Sequence, residues 1–258
     1  MTTALAPVDF TPPLLNPAPN GLFAATTWDT EAGPLRWLAS GVAFRRLNFG
    51  GEDAFGVWTA EWDAAESDLD EDDIKTGERS DPLDQFLPMT SWGYDEGDLT
   101  TSSQAEVRTR AEQTHRLQEQ NAVETAVAER MLADAGTPAS AAGGVVDAVG
   151  HLEMLFAQTN TVGFVHAGAQ WAAAAAEKGL IVRSGTGLKT PLGHTWVFGG
   201  GYVDALGEIL VATSQPFGWR GEVTVRGSVK HAWNRYAAVA ERSLVIGYEA
   251  LIGAVDLT

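Results

Sequence analysis

The chain has 258 residues, no cysteine, 17 basic against 34 acidic side chains and 45% apolar content, for a formal charge of −17. This composition fits one or two globular domains with a sizeable core, and it excludes disulfides, thiolate metal sites and cysteine nucleophiles. The acid excess weighs against a cationic nucleic-acid groove. Met1 to Pro7 lack a basic-then-apolar leader, and no apolar run approaches the roughly 20 residues that span a bilayer, so neither standard secretion nor membrane insertion is expected.

In chain order, residues 1–27 carry Pro7, Pro12, Pro13, Pro17 and Pro19, which predict an extended arm rather than a helix. Val42, Phe44 and Leu47, then Phe55, Val57 and Trp58, flank Asn48-Phe49-Gly50-Gly51-Glu52-Asp53, a pattern that predicts two strands around a glycine-rich turn. The charge is uneven: residues 1–104 carry 19 acids and 5 bases, a balance of −14, against −3 for the remainder. Residues 61–84 alone hold 11 acids against Lys75 and Arg79, so this stretch, including Asp68 to Asp73, is expected to be a solvated loop. Phe86 to Tyr94 alternates large and small residues, and Pro88 limits it to a short or edge strand.

From Ser103 to Ala135 there is neither Gly nor Pro. Ser103 as cap with Glu106 three residues on, and Gly136 and Pro138 as stop, predict a helix of about 30 residues, roughly 45 Å long. Its first half is polar, with a narrow stripe of Val107, Ala111 and Leu117, and its second adds Ala122, Val123, Ala126, Val127, Met131 and Leu132. A second helix is expected over Val145 to Gln158, with Val149, Leu152, Leu155 and Phe156 inward. A strand at Val162 to Val165, an Ala-rich helix from Gly168 to Glu177 and strands at Leu180 to Val182, His194 to Phe198, Glu208 to Thr213, Glu222 to Val229 and Ser243 to Tyr248 complete the reading. Helices and strands mix without a regular βαβ period, so the fold class is α+β.

Motifs that carry small-molecule chemistry fail on inspection. Ser184-Gly185-Thr186-Gly187-Leu188-Lys189-Thr190 separates its glycine from the lysine, and Gly199-Gly200-Gly201 has Asp204 where a dinucleotide fingerprint needs glycine, so both read as turns. His151 and Glu153 are two apart, the wrong spacing for one helix face, and His166, His194 and His231 are isolated. No serine lies in a Gly-x-Ser-x-Gly elbow. No catalytic residue, cofactor or metal is therefore expected. The nine tryptophans at 28, 37, 58, 62, 92, 171, 196, 219 and 233 are scattered, and five fall where the predicted structure is mostly arm and hairpin, which points to contacts between chains.

The order of parts resembles the major capsid protein of tailed bacteriophages, the Hong Kong 97-type coat fold, and in particular those of phages infecting actinobacteria. The local likeness lies in Phe164-Val165-His166-Ala167 leading to Trp171, and in Thr190-Pro191-Leu192-Gly193-His194 before Trp196-Val197-Phe198. Trp219-Arg220-Gly221-Glu222-Val223 and Ala240-Glu241-Arg242-Ser243-Leu244-Val245-Ile246 are similar to closing strands of the peripheral domain. The resemblance implies an N-terminal arm over 1–29 and an E-loop hairpin over 30–64. It further implies a peripheral domain over 65–136 and 216–258, with spine helix 103–135, and an axial α/β domain over 137–215. It implies assembly of pentamers and hexamers into an icosahedral head around double-stranded DNA, made in the host cytoplasm and found in the virion. A portal, a separate scaffold protein and a decoration protein are the other expected partners. Trp37, Phe44, Arg45, Arg46, Phe55 and Trp58 are the expected contact residues. An encapsulin-like nanocompartment shell, which shares the fold, and a soluble hydrolase using scattered His and carboxylates are the alternatives.

Overall fold

The computed structural model describes residues 8–31, 34–70, 73–185 and 187–258. The start of the arm, Met1 to Pro7, lies outside them, as do Ala32 and Gly33, Glu71 and Asp72 of the acidic stretch, and Thr186 of the glycine-rich turn. In chain order the elements are α1 (Leu22–Ala25), β1 (Thr27–Asp29), α2 (Arg36–Ser40), β2 (Met89–Gly97), α3 (Thr101–Ala135), β3 (Ala139–Ser140), α4 (Val145–Gln158), β4 (Phe164–Gly168) and α5 (Trp171–Glu177). They continue with β5 (Val182–Ser184), β6 (Gly187–Lys189), β7 (Thr195–Gly199), α6 (Tyr202–Ala205), β8 (Ile209–Thr213), β9 (Phe217–Arg220), β10 (Thr224–Lys230), β11 (Arg235–Gly247) and β12 (Leu251–Asp256). The class is α+β, as expected.

Two compact units emerge. The smaller holds residues 8–19, Trp92–Glu119 and Thr224–Glu241. Within it, β10 and the first part of β11 form an antiparallel hairpin in the register Gly227 to Ala238. Val107 and Ala111 of α3 pack with Tyr236, Ala238 and Ala240 of β11. These small side chains bring backbone close to backbone, most sharply at Gly93, where an added Cβ would sit 2.5 Å from the His115 nitrogen and 2.6 Å from the Ala111 oxygen.

The start of α3 corrects the predicted cap. Asp98 accepts hydrogen bonds from both the amide and the hydroxyl of Thr100, at 2.8 and 2.6 Å, and the Ser103 amide donates to Thr100 Oγ1 at 3.3 Å. Thr100 is thus the cap, and Ser103 sits one turn inside, its own hydroxyl receiving the Asp98 amide at 3.0 Å. The buried stripe also differs from the apolar one read from the sequence. In the smaller unit it runs through Val107, Ala111, His115 and Glu119, while Leu117 is only half-buried.

The larger unit holds Asn20–Ser91, Gln120–Val223 and Arg242–Thr258. Its seven-stranded sheet has the order β3-β12-β8-β4-β7-β6-β5, with β4 and β7 parallel and β4 and β8 antiparallel. Alternate residues of the central strands enter two cores. Val165, Trp196, Phe198, Leu210 and Ala212 face α4 and α5, whereas Val197 and Val211 join Val123, Val127 and Met131 of α3. Burial on both faces is why these strands read as continuous apolar runs without alternation. The helix α4 has the predicted bounds, with Val149, Leu152 and Phe156 buried.

The predicted hairpin is not formed. Among the described residues of 43–85 there is no strand, and a 3-10 turn forms at Glu66–Asp68. Val42 instead pairs with Phe86, with reciprocal amide-to-carbonyl bonds of 2.9 and 2.8 Å, and this bridge closes a much longer loop at its base. The backbone donors expected to feed a ladder go elsewhere: the Leu47 and Asn48 amides both donate to the Glu249 carboxylate.

Candidate assembly surfaces

The arm is extended, as its prolines require, and its apolar side chains Val8, Phe10, Leu14 and Leu15 point into solvent. What holds it is polar. In the smaller unit Gln113 Nε2 of α3 donates to the Leu15 carbonyl at 2.8 Å, and Arg116 donates to the Asn16 side-chain oxygen. In the larger unit Gln120 Nε2 donates to the Asn20 carbonyl at 2.8 Å. Gln113, Arg116 and Gln120 recur at helical spacing. The polar character of α3 therefore has a use: long side-chain donors satisfy acceptors of a segment with no ladder partner.

Beyond the arm, Glu124 of α3 is fully buried. Its Oε1 accepts the Leu22 amide and its Oε2 the Gly201 amide, each at 2.9 Å, so one carboxylate joins α1 and the turn before α6 to the helix. Burial raises its pKa above the ordinary carboxylate value, against the pull of these amides. The sequence reading missed Glu124 because a lone acid in a polar helix carries no signal of burial.

The long loop is held at three places. Arg46 donates to the Asp81 carbonyl at 2.8 Å. Glu249 receives the Leu47 and Asn48 amides at 2.5 and 2.6 Å and the Asn48 side chain at 2.7 Å. Burial opposes its ionised form, but these donors, with Arg46 nearby, bring the Glu249 pKa below its usual value. Where the loop leaves for α3, Arg130 lies 4.2 Å over the Phe86 ring, donates to the Asp84 and Gln85 carbonyls at 2.7 and 3.1 Å, and pairs with Asp134 at 2.8 Å. Further out, the two limbs of the loop meet through Lys75, 4.0 Å above the Trp58 ring, and through Gly77 against Ala54.

The expected contact residues divide. Trp37 is buried, 4% exposed, and packs within its own chain, against the expectation that it covers a neighbour, while Phe44 is partly buried and packs edge-on to Phe86 at 5.4 Å. Phe44 also lies 6.3 Å from the Phe217 ring and 6.2 Å from the Trp219 ring of β9, partners remote in the sequence. Arg45 is exposed, Arg46 holds its own loop and Trp58 is half-buried. Phe55 is 81% exposed, and Val57 and Trp62, at 89% and 91%, share its uncovered state.

No family model matches the sequence, and no curated protein matches it significantly. Solved structures do. The capsid of cyanophage P-SCSP1u aligns with a TM-score of 0.53 at 10% identity, over 99% of this chain and 92% of that one. The mature capsid of bacteriophage PhiM1 gives 0.51 at 11% identity, over 100% and 92%. A chain of Microbacterium phage Oxtober96 gives 0.50 at 12% identity, over 100% and 96%. The fold is that of Hong Kong 97-type phage capsids.

Within that capsid fold, the motifs that looked like small-molecule sites have structural uses. Gly201 lies so near α3 that a Cβ would come 2.0 Å from the Asn121 carbonyl oxygen, which is why glycine stands there. Glu153 Oε1 accepts the Thr190 hydroxyl at 2.7 Å and the Leu192 amide at 2.8 Å, and His194 stacks on Phe156 at 4.0 Å. His166 is buried between Tyr202, at 3.1 Å from Nδ1, and Thr213, at 2.8 Å from Nε2. Thr213 donates its hydroxyl to the Ser214 carbonyl, so Nε2 must carry the proton and Nδ1 must accept from Tyr202. No group of three His, Asp or Glu side chains arranged to hold a metal occurs among the described residues.

Proposed function

We propose that this chain is a major capsid protein that self-assembles into the icosahedral head of a tailed phage around double-stranded DNA. The observation that carries the reading is the end-to-end match to phage capsid structures, with coverage near complete on both sides. The uncovered apolar residues of arm and loop support it, because a lone soluble chain gains nothing by exposing Phe10, Phe55 and Trp62 together. On this reading residues 8–20 are the arm, 43–85 the E-loop, α3 the spine, and the seven-stranded sheet with α4 and α5 the axial domain. Phe55, Trp58 and Arg45 then face a neighbour. Many modest, repeated heterologous contacts hold such a shell, with no thiol available to reinforce them.

Electron microscopy of the purified full-length chain tests this. Closed shells or capsomers are expected. A stable 27.4 kDa monomer across ionic conditions and concentrations would overturn it.

A further inference from the structure

The long loop is built as a braced lever with a hinge and a clip. The hinge is the Val42–Phe86 bridge, beyond which no ladder follows among the described residues of 43–85. The brace joins the two limbs along their length. Arg46 donates to the Asp81 carbonyl at 2.8 Å, and Gly50 lies so close to Ser80 that an added Cβ would overlap the serine hydroxyl. Further out Gly77 lies against Ala54, and Lys75 sits 4.0 Å above the Trp58 ring. The clip is one side chain. Glu249 stands in the turn between β11 and β12, flanked by buried Tyr248 and Ala250, and its amide donates to Ser214 Oγ at 3.0 Å. From this fixed base its carboxylate receives the Leu47 and Asn48 amides and the Asn48 side chain. Two successive amides turned on one anion form a concavity suited to a carboxylate.

We propose that Glu249 is the positioning residue of the long loop: its carboxylate sets the angle at which the braced lever leaves the body, and so where Phe55, Val57 and Trp62 reach. A stiff loop on a single bridge has one soft motion, rotation at its base, and the clip acts just beyond that hinge. There is room for the motion. Leu47 is 82% exposed, and a cavity of about 190 Å³ lies between residues 48–52 with Phe55 and Gln158 with Thr159 at the end of α4. The clipped pose also leaves Arg46 Nε buried without an acceptor, the mark of a pose held in place from outside the loop. The three donors bind best while the carboxylate is ionised. Arg46 is the charged group acting on Glu249, and Ser214 on the side of the body is neutral. Burial opposes the charge, but the Asn48 and Leu47 donors and Arg46 outweigh it and hold the pKa below 4.5. The clip is therefore closed above pH 4.5 and opens as pH falls through the lowered value.

That the aimed loop meets a neighbour rests on the coat reading, and the test separates the two. Hydrogen exchange on the full-length, unassembled chain at pH 7 is expected to show protected Leu47 and Asn48 amides. Glu249→Ala is expected to lose at least about tenfold of that protection, with the Val42 and Phe86 amides and the melting temperature unchanged. Below pH 4.5 wild type should lose the same protection, measured against unfolded-peptide rates, whereas Glu249→Gln, which does not titrate, should show no such step. This second comparison decides the matter even where the Ala variant folds poorly. Equal exchange in wild type and Glu249→Ala, or equal pH profiles for wild type and Glu249→Gln, would overturn the clip. In assembly, electron microscopy is expected to show one shell size for wild type and mixed sizes or open sheets for Glu249→Ala. Shells of unchanged size and yield would overturn the positioning role and leave the coat reading standing. Failure of the wild-type chain to assemble at all would sink the coat reading itself, and the exchange result would still decide the clip.

Discussion

Two buried ionisable side chains of the larger unit set opposite pH dependences. Glu124 holds the Leu22 and Gly201 amides, so Glu124→Ala strands two buried donors and is expected to cost about 2–3 kcal/mol in urea unfolding. Its pKa is raised by burial above 4.5, so the folded chain binds that proton more tightly than the unfolded chain. The contribution is full below about 4.5 and is lost as pH rises through the raised value. Wild type should therefore weaken relative to Glu124→Gln as pH climbs from 4.5 towards 7, and a constant gap between the two would contradict this. His166 behaves in reverse. Burial pushes its pKa down to about 3 from 6.5, so below 6.5 the unfolded chain takes a proton that the folded chain refuses. Stability is expected to fall between pH 6.5 and 3 by an amount on the order of 4 kcal/mol. His166→Gln, which keeps a donor and an acceptor, should flatten that limb of a urea-midpoint against pH curve.

At the scale of elements, close approach decides what the propensities leave open. Gly93→Ala would place a methyl group against the backbone of α3 at Ala111 and His115, which cannot yield as a side chain tip can. A loss of about 1–3 kcal/mol is expected, read as a lower melting temperature. The arm is a different case, since side-chain donors rather than apolar burial hold it in the smaller unit. Gln113→Ala with Arg116→Ala should make residues 8–19 more sensitive to protease while the melting temperature stays nearly constant. Element existence was largely readable where the pattern was long: α3 lacks Gly and Pro and ends at Gly136, and α4 has its expected bounds. The strand β12 was not expected from the sequence; its Gly253 lies against Leu155.

For the whole molecule, charge and exposed apolar surface act against each other. A chain of charge −17 repels its own copies, so on the proposed coat reading assembly should need less protein as salt rises and screens that repulsion, as light scattering against sodium chloride would show. Phe55→Asp with Val57→Asp alters loop residues that no core contains, and is expected to give a folded chain with an unchanged melting temperature that forms no shells. Composition, the long helix and the acidic loop were legible in the amino-acid sequence because they depend on local pattern and local charge. The loop closure at Val42 and Phe86, the burial of Trp37, and the anchoring by Glu124, Arg130 and Glu249 were not. Each depends on partners far away in the chain, and an isolated acid, arginine or aromatic looks the same whether a distant segment folds over it or leaves it in water. The sequence by itself determined the α+β class and the long helix α3. Only the tertiary structure decided which aromatics belong to the core and which stay uncovered, because that choice is made by packing between remote segments.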